Sequence, residues 1–92
     1  MPWWWIPALI MGVTVVRLTW GSISNWFSSN KKVDTAYGEI VRQKLTDGNY
    51  TVVTNVFSNS GQKTASRTWE AGEIDSTLSS KLGNRNVIRI DI

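Results

Sequence analysis

The sequence predicts an α+β protein, with an N-terminal single transmembrane helix followed by a small α-β-β-α-β domain with a three-stranded sheet. Three observations carry this expectation. An apolar stretch bounded by tryptophans fills the first twenty-odd residues. The remainder alternates between helical and strand-like periodicity. The chain also has no cysteine and no histidine, so no disulfide or zinc site is available to staple a different kind of small fold. The expected units are a transmembrane helix with Trp interfacial belts over 1–27, a linker over 28–32 and a soluble α+β domain over 33–92.

The apolar stretch opens with Trp3, Trp4 and Trp5 and closes with Trp20, Trp26 and Phe27. A continuous helix from Trp4 to Trp26 would span about 33 Å, close to the thickness of a hydrocarbon core. Tryptophan prefers the membrane–water interface because its ring is apolar while its N–H still seeks a partner, so the two clusters read as interfacial girdles. Arg17 is the only formal charge between Trp3 and Trp20. It either snorkels to the headgroups or pairs with an acid on a neighbouring membrane subunit. Ala8, Gly12 and Thr14 supply the small and mildly polar positions at which membrane helices touch, and with Arg17 they form the expected helix-contact set. A cleaved signal peptide fits less well: no Lys or Arg precedes the apolar run and no small-x-small cleavage site follows it. Arg17, Lys31 and Lys32 follow or flank the rod, so the positive-inside bias puts the N-terminus out and the C-terminal domain in the cytoplasm.

Val33, Ala36, Tyr37, Ile40, Val41 and Leu45 recur at i, i+3, i+4, i+7, i+8 and i+12, which predicts an amphipathic helix ended by Asp47 and Gly48. Residues 50–57 are β-branched and aromatic, residues 58–61 (Ser-Asn-Ser-Gly) read as a turn, and residues 63–69 as the returning strand. Ile74, Leu78 and Leu82, with Gly83 at the stop position, predict a second helix over 70–82. Glu70, Glu73 and Asp75 would complement its N-terminal dipole. Ile88, Ile90 and Ile92 share one side of a final strand.

Composition narrows the function. Without histidine or cysteine there is no ready general base or thiolate, and a domain of this size leaves little room for a substrate cleft. No catalytic, cofactor-binding or metal-ligating residue is expected. The net charge of +3 comes from basic residues interleaved with acids, unlike the clustered stripe of a nucleic-acid binder. Asn49 heads an Asn-x-Thr glycosylation pattern, but it stands at the start of a strand and on the cytoplasmic side of the expected topology. The expected role is a non-catalytic accessory or structural subunit of a larger membrane protein complex. Its partners are other membrane protein subunits and the lipid bilayer, with no nucleic acid and no small-molecule substrate. Two alternatives compete: a holin- or toxin-like membrane-active protein, and a membrane-tethered nucleic-acid-binding module using Lys63 and Arg67.

Overall fold

The computed structural model describes residues 13–92. In chain order these form β1 (Val13–Leu18), α1 (Trp20–Asn30), β2 (Thr35–Lys44), β3 (Tyr50–Ser58), β4 (Lys63–Ile74), α2 (Ser76–Leu82) and β5 (Val87–Ile90). The strands build one mixed sheet in the order β1-β4-β3-β2-β5. β1 runs parallel to β4, and the other neighbours are antiparallel. The fold is α+β, with two described helices on a five-stranded sheet. No described helix is long and apolar enough to cross a membrane.

Over the described residues 13–27 this corrects the expected continuous helix; the rest of that expectation lies outside the described residues. Val13, Thr14, Val15 and Val16 are all β-branched, and they form an edge strand in which Val13 and Val15 lean on the core while Thr14 and Val16 are exposed. β-branched side chains lose rotamer freedom in a helix and pack well on a pleated surface. Thr19 then ends any continuity. Its backbone is extended, and its hydroxyl accepts a hydrogen bond from the Ser22 N–H, capping α1. Ile23, Trp26 and Phe27 form the buried stripe of α1 at i, i+3 and i+4, with Ser and Asn on its outer side. Residues 28–30 of the expected linker belong to this helix.

The expected helix over 33–45 is strand β2. Its apolar positions fit a helical spacing only by mixing residues from both sides of a strand. Gly38 and Ile40 are buried, Tyr37, Glu39 and Val41 are half-buried on the opposite side, and Val33 is fully exposed. Pairing with β3 along nearly its whole length overrides the local pattern. Asp47 and Gly48 therefore make a hairpin turn. Gly48 adopts φ 91°, which favours glycine, and the Asp47 carboxylate accepts from the Asn49 N–H at 3.0 Å. With β1 and β2 added, the sheet has five strands where three were expected.

β3, the Ser58–Gly61 turn, the return of β4 and the last strand follow the expectation. β4 is longer, however, and continues to Ile74, so Glu70 and Glu73 are strand residues. Asp75 alone serves the N-terminus of α2. Its Oδ1 accepts from the Leu78 N–H at 2.8 Å.

Both helices pack on one side of the sheet. Their Ile23, Trp26, Phe27, Leu78 and Leu82 meet Ile40, Val52, Val56, Trp69, Ala71 and Ile88 in a single core. The closest fit is at Gly38, where a Cβ would lie 2.6 Å from Phe27 Cε1. Glycine in mid-strand weakens β structure, and here it gives the Phe27 ring its seat. The Trp69 indole N–H, also buried, donates to Thr54 Oγ1 at 3.0 Å.

Gly38→Val should destabilise the domain by about 1–3 kcal/mol through overpacking against Phe27. Ile40→Asp should unfold it, since an unpartnered carboxylate in the core costs several kcal/mol, comparable to the roughly 3–5 kcal/mol such a domain holds in total. Urea melts followed by circular dichroism check both. A Gly38→Val midpoint equal to wild type would mean that α1 does not seat as described.

Candidate functional site

With both helices on one side, the other side of the sheet carries no described helix. Its residues come from the alternate positions of each strand. Tyr37 and Glu39 belong to β2, Asn55 and Phe57 to β3, Ser66 to β4 and Arg89 to β5. Across strands these make two parallel rows.

The first row is aromatic and cationic. The rings of Tyr37 and Phe57 stack with centroids 5.1 Å apart and an interplanar angle of 23°. The Arg89 guanidinium lies over the Tyr37 ring at 4.1 Å from its centroid. Lys63 continues the row on β4, as the cross-strand partner of Phe57. A register shift between Val56 and Phe57 brings it there. Tyr37 and Phe57 are half-buried, and Arg89 and Lys63 are exposed.

The second row is polar. Asn55 Nδ2 donates to Glu39 Oε1 at 3.0 Å, and Ser66 Oγ donates to Asn55 Oδ1 at 2.7 Å. Glu39 and Arg89 are direct cross-strand partners. Their side chains nonetheless take separate contacts, the carboxylate with the Asn55 amide and the guanidinium with the Tyr37 ring. Asn55 is only 5% exposed, so its amide is held in one orientation by partners on both sides.

The remaining cation–ring contacts lie on the helix side or its rim. Arg67 covers Trp69 at 5.5 Å, and Lys81 covers Trp20 at 4.5 Å. Lys63 and Arg67, which the hairpin would have used together on nucleic acid, therefore serve opposite sides of the sheet. A groove of about 180 Å³ runs beside Trp20, Phe27, Lys31 and Ile92. A larger, more open groove of about 380 Å³ lies beside Trp26, Asn30, Arg67 and Trp69.

The sequence-predicted site residues fall into three groups. Trp3, Trp4, Trp5, Ala8 and Gly12 lie outside the described residues. Trp26 and Phe27 are buried in the core and Trp20 is half-buried under Lys81, so they form no separate interfacial girdle. Thr14 and Arg17 are exposed on β1, with Arg17 opposite Glu73 of β4, and they belong to a strand instead of a helix-contact stripe. The sequence reading placed Arg89 on the outward side of the sheet but missed Tyr37 and Phe57. The signal was present in the alternation of Tyr37, Glu39 and Val41 against Gly38 and Ile40, once residues 35–44 are read as a strand.

A double-mutant cycle of Glu39→Ala and Asn55→Ala should give a coupling energy of about 0.5–1.5 kcal/mol in urea unfolding. Strict additivity would dissolve the polar row.

Comparison with protein-family models, with curated proteins and with solved structures finds no match for this chain. Its function is therefore read from its own surface.

Proposed function

We propose that this chain is a small non-catalytic interaction module, working at a membrane as an accessory component of a larger assembly. It holds its partner with the sheet face that the helices leave open. The observation that carries this reading is the row formed by Arg89, Tyr37, Phe57 and Lys63. Large aromatic rings and arginine side chains are what binding surfaces concentrate. Here they are set on rigid strands with a fixed polar row beside them, which limits the ordering cost of binding.

The membrane part of the reading rests on the residues ahead of Val13, an uncharged run that includes Trp3, Trp4 and Trp5. Arg17, Lys31 and Lys32 follow it, which favours a folded unit on the cytoplasmic side. A permeabilising, holin-like role draws less support. Such a role uses accessible tryptophans, and Trp26 and Trp69 are committed to the core.

Membrane flotation and native electrophoresis in mild detergent test the proposal. The full chain should float with membranes and migrate in a complex larger than itself. Deleting residues 1–12 should release a folded domain. Arg89→Glu or Tyr37→Ser should leave flotation intact while removing the chain from the complex. A chain that migrates alone, or variants that retain the partner, would overturn the interaction reading.

A further inference from the structure

We infer that β5 is a self-association edge: a second copy of this chain pairs with it antiparallel through Ile88–Ile92, joining the two five-stranded sheets into one. The inference concerns the rim of the sheet and stands apart from what the open face binds.

β5 closes the sheet on the side opposite β1, and among the described residues no strand pairs with its outer edge. The Asn86 carbonyl accepts from the Arg42 N–H at 2.7 Å, so Asn86 faces β2. Backbone direction alternates along a strand. Ile88 and Ile90 therefore face β2 as well, while Val87, Arg89 and Asp91 turn their N–H and C=O groups outward. Such a row is a template for another strand, and natural edges are often blunted by charge of one sign. This edge instead carries Arg89 and, two positions later, Asp91, and both are exposed.

The order of the residues names the occupant. Ile-Arg-Ile-Asp-Ile is its own complement when read in the opposite direction. With a two-fold axis at Ile90, that residue meets its own counterpart, Arg89 meets Asp91 of the second copy, and Ile88 meets Ile92. Arg89 and Asp91 then form hydrogen-bonded pairs, each exchanging two backbone bonds. Ile90 and Ile92, half-buried at the rim of the core, gain apolar neighbours on the helix side. The neighbouring registers are penalised. Sliding one copy by two residues sets Arg89 against Arg89 or Asp91 against Asp91, and like charges directly opposite are destabilising. A slip of one residue turns the isoleucines to the wrong side. An axis perpendicular to the sheet also keeps both open faces on one side, so the dimer presents two Tyr37–Phe57 rows together.

The paired segment is short and falls below the roughly 1,200 Å² of a stable interface, so the expected dimer is weak, with a Kd on the order of tens of micromolar. Sedimentation velocity of the full chain in mild detergent should show monomer passing into dimer as concentration rises. Arg89→Asp and Asp91→Arg should each weaken association about tenfold, because each sets like charges opposite one another in both pairs. An equimolar mixture of the two variants should recover the wild-type affinity, since acid then faces base in both pairs. That recovery also shows that both variants fold.

The chain has no cysteine, so single replacements report the register. Ile90→Cys should form a disulfide dimer on mild oxidation, because its Cα atoms would lie about 4.5 Å apart across the axis. Val87→Cys, at a position 52% exposed, should not. In this register the two copies of position 87 stand roughly 20 Å apart along the strands. A chain that stays monomeric at its highest soluble concentration would overturn the inference. So would association indifferent to both charge variants, a mixture no tighter than either variant alone, or Val87→Cys cross-linking as readily as Ile90→Cys.

Discussion

The fold depends on how closely α1 approaches the sheet at Gly38. The chain has no disulfide, and the described unit is small, so its stability rests on one layer of side chains between the helices and the strands. Phe27 is the largest side chain fully enclosed in that layer. Its ring occupies the space a Cβ at position 38 would need. Each large apolar side chain buried here contributes about 1.5–3 kcal/mol, so letting α1 stand off the sheet would weaken several of them together. The same seating leaves the far side of the sheet uncovered by any described helix. The core and the candidate interaction face are thus two consequences of one contact.

Asp75 adds a second constraint. Its Oδ1 caps α2, its Oδ2 accepts from the Trp20 N–H, and its backbone N–H donates to the Leu18 carbonyl. The junction between β1 and α1 is thereby joined to the junction between β4 and α2, although Trp20 and Asp75 stand 55 positions apart. The parallel pairing of β1 with β4 brings these two turns side by side.

Much of the C-terminal half was legible in the sequence, because its signals are local. The β-branched run of β3, the turn at Asn59 and Gly61, the stop at Gly83 and the alternating isoleucines of β5 each report on their own neighbourhood. β2 and the first eighteen described residues were not legible, for two physical reasons. The positions 33, 36, 37, 40, 41 and 45 satisfy a helical period while the strand pairing that overrides it lies in residues 50–58. Tryptophan, for its part, suits a membrane interface and a protein core alike, so Trp20 and Trp26 could not be assigned without knowing what α1 packs against. The interaction face was hidden for a related reason. Tyr37, Phe57 and Arg89 come from three different strands, and only the register β3-β2-β5 makes them neighbours.

β1 is the first described element, and it is an edge strand bonded lengthwise to β4. Tension arriving from residue 12 would act on Val13 along the strand axis. Load applied in that direction is shared by the whole β1–β4 ladder at once, whereas a pull across the strand would open the bonds one after another. The geometry is that of a lap joint. A module held by residues 1–12 on one side and by its partner on the other would yield first by sliding β1 along β4, leaving β2, β3 and β4 paired.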